Sequence, residues 1–413
     1  MTLLLIIAAV LACYMAFGIG SNDGANSMAA AVGAKAITIV WALILAAICE
    51  FGGAVLVGSH VSNTVRKGII DVQAFSLTPE ILAYGMVCAL LASAIWLHLA
   101  SVFGMPVSTT HSIVGSIFGF GLLCAGFDSV YWAKMGQIVA SWLISPLAGG
   151  LIAYIIFRLI SAHILGKNKP MLAALKGIPL YVFITFGTVT LSIILKGLKH
   201  LHLDFDGIQA LLVSVAAGTL AAIISLFLLR RVGAAAKDLS LAEQLRRVEK
   251  IFVPLVIITS CSVAFAHGAN DVANAIGPLA AVAEIVKTNA VPQKVSVDFW
   301  VLVLGGVGIA AGLLILGHRV IRTVGANITD LTPSRGVAAG IATTITVLVC
   351  SKIGLPISTT HTLVGAVIGV GLARGITAIN VKIVRSIFLS WILTIPFTAG
   401  LTILFYLALC LVI

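Results

Sequence analysis

Residues 268–274 read Gly-Ala-Asn-Asp-Val-Ala-Asn, and residues 20–26 read Gly-Ser-Asn-Asp-Gly-Ala-Asn. A second pair of stretches follows them in the same order. Residues 104–111 read Gly-Met-Pro-Val-Ser-Thr-Thr-His, and residues 354–361 read Gly-Leu-Pro-Ile-Ser-Thr-Thr-His. Ser141-Trp142 returns as Ser390-Trp391, and Pro146 as Pro396. Several matched features at nearly constant spacing indicate an internal duplication. It pairs residues 1–165 with 251–413 and leaves 166–250 as a linker between the copies.

The motifs lie in a chain of 413 residues that is 60% hydrophobic and 9% charged. A soluble domain of that length carries roughly 25% charged residues. Apolar stretches long enough to span a bilayer, about 20 residues each, recur from end to end. Twelve are readable: about 2–19, 36–58, 80–101, 106–127, 135–160, 178–197, 208–229, 251–267, 299–318, 336–353, 357–373 and 383–412. They are continuous rather than alternating, which excludes a membrane β-barrel. The fold class is therefore an all-α integral membrane protein. The first stretch has no basic residue ahead of it and reads as a permanent span rather than a cleaved signal.

The formal net charge of +11 sits in loops, as the positive-inside rule expects. No basic face with interleaved aromatics exists, so nucleic acid is not a partner. The seven cysteines stand singly in apolar segments without metal-ligand spacing. The polar stretch 230–250 carries Leu241, Leu245 and Val248 at helical spacing and reads as an interfacial helix within a loop. Five spans per repeat and two linker spans put an odd number between equivalent points, which inverts the second copy. With the termini outside and 230–250 cytoplasmic, most Lys and Arg fall on the inner side. Segments 106–127 and 357–373 are short, Gly-rich and opened by Pro, the marks of re-entrant helices. The Gly115/Gly119 and Gly365/Gly369 pairs read as internal helix packing, with a homodimer interface as the other use of such spacing.

Asp23 and Asp271 cannot easily face lipid. Each is flanked by amides and small residues, which permit helix breaks and close backbone approach. Carboxylates, Asn carbonyls and freed backbone carbonyls are hard oxygen ligands for small cations, and Asn N–H groups also suit an anion. Pro-x-Ser-Thr-Thr-His is a helix start, with Pro for the first turn and Ser or Thr for the cap. Such a start presents unpaired N–H groups and partial positive charge to an anion, and three hydroxyls add donors. A tetrahedral oxyanion fits that chemistry. Neither motif contains Lys or Arg. Two aspartates and an anion repel one another at low dielectric, so a cation must bind with the anion, which is symport. Glu50, deep in an apolar run, is a further candidate or else a buried protonated carboxyl. His111 and His361 either shuttle protons or orient the helix starts. His60 and His267 read as structural.

At these residues the chain resembles the inorganic phosphate transporter (PiT) family of sodium– or proton–phosphate symporters. The resemblance covers both repeats. It implies phosphate uptake through a duplicated, inverted helical core with broken or re-entrant helices at the substrate site. By position, it implies sodium at Asn22, Asp23, Asn270 and Asp271, with Glu50 as a further candidate. Phosphate would be held by Asn26, Ser108, Thr109, Thr110, Asn274, Ser358, Thr359 and Thr360. Glu50 matches an acid important in animal members, whose second acid falls at Gly340 here. Ser21 and Gly24 depart from the Ala and Val of the second copy, and the short central loop is that of a microbial member. The expected function is import of phosphate coupled to sodium across the cell membrane by alternating access. Proton coupling is the alternative, and a passive anion channel a further one. No cofactor and no enzymatic activity are expected, since no nucleophile stands with a base and an anion clamp.

Overall fold

The computed structural model describes residues 2–58, 69–197, 205–233, 239–291, 297–352 and 357–412. Within them the chain is helical apart from turns and one isolated bridge between Ile70 and Val130. In chain order come α1 (Thr2–Ile19), a π-helical turn (Gly20–Gly24), α2 (Ala29–Gly33), α3 (Ile39–Val57), α4 (Pro79–Val102), α5 (Thr109–Ala125) and α6 (Trp132–Ile160). α7 (Pro170–Gly197) and α8 (Gly207–Gly233) follow. Then come α9 (Leu241–Thr288), which runs across the 250/251 boundary, α10 (Phe299–Arg322), α11 (Pro333–Lys352), α12 (Thr359–Leu372) and α13 (Val381–Cys410).

Local signals account for many of these boundaries. Thr38 caps α3 by accepting from the Trp41 N–H, and Pro79 occupies the first turn of α4. Gly104, with φ +66°, ends α4 in the left-handed region that other residues avoid. Its turn is closed by Met105 N–H donating to the Ala100 carbonyl at 2.8 Å. Among the described residues ten helices are long and apolar enough to cross a membrane, and the chain is a multi-pass membrane protein. The two shorter helices, α5 and α12, have 17 and 14 residues. At 1.5 Å per residue they reach about 25 and 21 Å, short of the roughly 30 Å hydrocarbon core. They are the segments whose Pro and Gly content marked them as re-entrant.

Two expectations are corrected. Residues 241–250 are no separate interfacial helix. They form the first turns of α9, because Val248 is buried and Glu249 accepts from both the Ser334 N–H and hydroxyl, each at 2.8 Å. Nor does an apolar helix end near residue 267 in a break. α9 continues through the second Asn-Asp motif, which carries Ala269 and Val272 where the first copy has Ser21 and Gly24. Glycine costs a helix about 1 kcal/mol relative to alanine, so only the first copy opens into a π-turn.

Packing comes in matched couples. α1 lies on α10 as α9 lies on α3, α5 on α13 as α12 on α6, and α4 on α13 as α11 on α6. Glycines set the closest crossings. A Cβ on Gly20 would enter the Ile309 carbonyl and one on Gly312 the Phe17 carbonyl. A Cβ on Gly268 would enter the Glu50 carbonyl and one on Gly53 the Phe265 carbonyl. Gly115 and Gly119 are spent on α13, and Gly365 and Gly369 on α6, which is internal packing. Gly312→Ala and Gly268→Ala should each lower stability by about 1–3 kcal/mol through overpacking. Thermal unfolding of the detergent-solubilised protein checks this; melting temperatures equal to the parent's would show that these helices separate without loss.

Candidate functional site

The two Asn-Asp motifs meet the two Ser-Thr-Thr-His helix starts in one buried cluster. Asn22 forms the strut. Its amide nitrogen donates to the Met105 carbonyl at 2.9 Å and its oxygen accepts from the Val107 N–H at 2.9 Å. The turn between α4 and α5 is thereby fixed against the π-turn. Ser108 and Ser358 cap α5 and α12 by accepting from the N–H groups of His111 and His361. Capping leaves the following hydroxyls at the mouth of each helix.

Those hydroxyls converge on Asp23. Its Oδ2 accepts from the Thr109 N–H at 2.9 Å and the Thr109 hydroxyl at 2.8 Å. Its Oδ1 accepts from the Thr360 hydroxyl at 2.7 Å, from the other repeat. The Thr109 hydroxyl also lies 3.3 Å from Asp271 Oδ2. Asn26 donates to Thr360 at 2.9 Å, and Asn274 donates to Thr109 and Thr110 at 3.3 Å. Each asparagine thus reaches the hydroxyl helix of the opposite copy. The Asn26 oxygen and the Thr359 hydroxyl are buried without a partner, although buried polar atoms rarely go unpaired. Asp23, Asp271, Asn26, Asn274, Thr109, Thr359 and Thr360 are buried, and Thr110 and Asn270 are half-buried.

Glu50 and His267 complete the cluster. His267 Nδ1 is 2.7 and 2.9 Å from the two Glu50 oxygens. Its Nε2 stands 2.7 Å from Asp271 Oδ2, without hydrogen-bond alignment. One oxygen of Asp23, one oxygen of Asp271 and one nitrogen of His267 all lie within 4.8 Å of one another. Two like charges about 5 Å apart repel by about 3 kcal/mol at an effective dielectric near 20. Even with His267 protonated, three ionised carboxylates leave the cluster at −2. The geometry suits cations at the carboxylates and an anion at the Thr and Asn donors.

The structure brings together Asp23, Asp271, Asn26, Asn274, Thr109, Thr110 and Thr360. Asn22 holds a turn, and Ser108 and Ser358 act as caps. His267, read as structural, sits inside the charged cluster. Its i, i+4 step to Asp271 on one helix face was visible in the sequence, but its contact with Glu50, 217 positions away, was not. His111 and His361 do not reach the carboxylates. They meet edge-on at 4.5 Å, backed by Trp142 at 4.3 Å and Trp391 at 3.6 Å. Trp391 in turn donates to the Pro106 carbonyl at 2.9 Å, so these rings brace the two helix starts. His60, Gly354, Leu355 and Pro356 lie outside the described residues.

Comparison with known proteins points the same way. The model of the phosphate transporter family matches residues 19–402. A Haemophilus influenzae protein named "Putative phosphate permease" is 44% identical over 404 residues, covering 97% of this chain and 95% of that one. The Arabidopsis thaliana "Inorganic phosphate transporter 2-1, chloroplastic" is 40% identical over 415 residues, covering 95% of this chain and 70% of that one. A solved structure described as "The sodium-dependent phosphate transporter" superposes with a TM-score of 0.89 at 43% identity, with full coverage of both chains. These relatives are named as permeases and transporters, the family match spans both Asn-Asp motifs and both hydroxyl helices, and the chain belongs to the phosphate transporter family.

Proposed function

We propose that the protein imports inorganic phosphate with sodium by alternating access, around a site shared by two inverted repeats. The repeats are 1–165 and 251–413, joined by the linker 166–250. The observation that carries this reading is the Asp23–Asp271 pair, held across Thr109 with no Lys or Arg in either motif. Asp23 and Asp271 are the sodium ligands, with the half-buried Asn270 beside them and Asn22 supporting from behind. Thr109, Thr110, Thr359, Thr360, Asn26 and Asn274 hold phosphate, and Ser108 and Ser358 shape its helix N-termini.

The hydrogen bonds suggest how the two cargoes are coupled. The hydroxyls of Thr109 and Thr360 donate to Asp23. Sodium at the carboxylates takes over that neutralisation. The hydroxyls can then turn to an anion, which gains donors only when the cation is present. Reciprocal linkage requires phosphate to raise sodium affinity by the same factor. The distribution of Lys and Arg supports a cell-membrane orientation with both termini outside and 230–250 cytoplasmic. A proton-coupled version is favoured by one observation, the buried Glu50–His267–Asp271 contact.

Three expectations follow from this geometry. Asp23→Asn and Asp271→Asn should each abolish sodium-coupled uptake into proteoliposomes while the protein still inserts. Parental rates in both would sink the cation assignment. Thr110→Val or Thr360→Val should weaken phosphate binding by about 1–3 kcal/mol, the cost of an unmade hydrogen bond in a desolvated site, with a smaller effect on sodium. Titration of the solubilised variants measures it, and unchanged phosphate affinity in both would move the anion elsewhere. Finally, phosphate affinity measured by calorimetry should rise with sodium at fixed pH, with choline holding ionic strength constant. An affinity indifferent to sodium but improving as pH falls would transfer the coupling to protons.

A further inference from the structure

The two halves of the cluster are built on the same crossing and filled differently. In one crossing Phe17 and Gly20 of the first motif helix meet Ile309 and Gly312 of α10. In the other, Phe265 and Gly268 of α9 meet Glu50 and Gly53 of α3. Spacing and contacts correspond step for step. Gly20 closes on the Ile309 carbonyl as Gly268 closes on that of Glu50, and Gly312 closes on Phe17 as Gly53 closes on Phe265. Ile309 is therefore the counterpart of Glu50. Ile19, which precedes Gly20, is the counterpart of His267, which precedes Gly268. Both isoleucines are completely buried. One half of the site carries an acid and an imidazole where the other carries two hydrocarbon side chains.

The aspartates differ accordingly. Asp23 is fixed by three donors from Thr109 and Thr360. Among these contacts Asp271 has one long approach from Thr109, at 3.3 Å, and is otherwise set by His267 at 2.7 Å. His267 is anchored in turn by both oxygens of Glu50. The side chains of the cluster that face His267 are Glu50 from α3, Asp271 from α9 and Asp23 from the π-turn. Glu50 has both oxygens engaged at His267, and one of them also lies against Gly24, where a Cβ would come within 3.2 Å. This is the arrangement of a ligand's support rather than of a ligand.

We propose that Glu50 and His267 are positioning residues for Asp271, and that this buttress sets sodium affinity on the Asp271 side of the site. The inference rests on the sodium-symport reading and goes beyond it, since it removes Glu50 from the ion's ligands and gives His267 a task. The two residues do not touch phosphate. Their removal changes how much sodium is needed, and leaves phosphate affinity largely intact once sodium is saturating.

The test copies the apolar half onto the ionisable half. Removing Glu50 or His267 alone would leave a buried unpaired group, a costly change. The double variant Glu50→Ile with His267→Ile removes both together and installs the pair already packed at Ile309 and Ile19. Sodium needed for half-maximal phosphate binding should rise about 10- to 100-fold, the range for loss of a residue that orients a metal ligand. Phosphate affinity at saturating sodium should stay within about threefold, under 0.7 kcal/mol. Glu50→Gln, which still offers His267 an acceptor, should shift sodium by less than about tenfold. Ile309→Val, on the mirrored crossing, should not shift it. An unshifted sodium requirement in the double variant overturns the inference. Should that variant fail to fold, His267→Gln decides in its place: a raised sodium requirement supports the buttress and a parental one overturns it. A Glu50→Gln loss as large as that of the double variant makes Glu50 a ligand and overturns it too. Sodium-independent binding by the parent protein is a separate outcome, which removes the symport reading itself and this inference with it.

Discussion

The Thr109 hydroxyl stands between two carboxylates, 2.8 Å from Asp23 and 3.3 Å from Asp271. Like charges are not brought together in a desolvated interior unless something compensates them. Here two threonine hydroxyls and a backbone N–H donate to Asp23, and the His267 imidazole stands against Asp271. No lysine or arginine stands in either motif to neutralise the carboxylates permanently.

Bringing these groups together depends on backbone approach that side chains would prevent. Four glycines let the helices bearing Asp23 and Asp271 close onto α10 and α3 until carbonyls and Cα atoms touch. The first hydroxyl helix, α5, reaches the same point because Gly104 reverses the chain after α4 and Asn22 clamps the turn. Behind the hydroxyl helices His111, His361, Trp142 and Trp391 form a contiguous set of rings. The helices that carry the threonines are held by caps and rings rather than by the carboxylates themselves.

Duplication supplies two of everything, yet the copies have diverged where it matters. The first motif opens into a π-turn and the second stays helical, which follows from Ser21 and Gly24 against Ala269 and Val272. The outer crossings have diverged more sharply, with Glu50 and His267 opposite Ile309 and Ile19. A strictly symmetric site would offer two equal cation positions. The unequal filling makes the two aspartates distinguishable by their supports.

The sequence by itself determined the class, the repeats as a pattern, and nearly every residue of the cluster. Composition excludes a soluble fold, and charges placed at matching points of two apolar helices have few bland explanations. Caps were legible too, because Ser108 and Ser358 act within four residues of themselves. Three things needed the tertiary structure. Whether a motif breaks its helix depends on a balance of about 1 kcal/mol per glycine, too fine to read from the pattern, and the second copy did not break. The start of α9 looked like a surface helix because amphipathic spacing does not say what the apolar face meets; Glu249 and Ser334 decided it. The role of His267 was hidden for the same reason. Its spacing to Asp271 is local, but its partner Glu50 belongs to the other repeat, and only the crossing of two glycine-faced helices puts an imidazole between two acids.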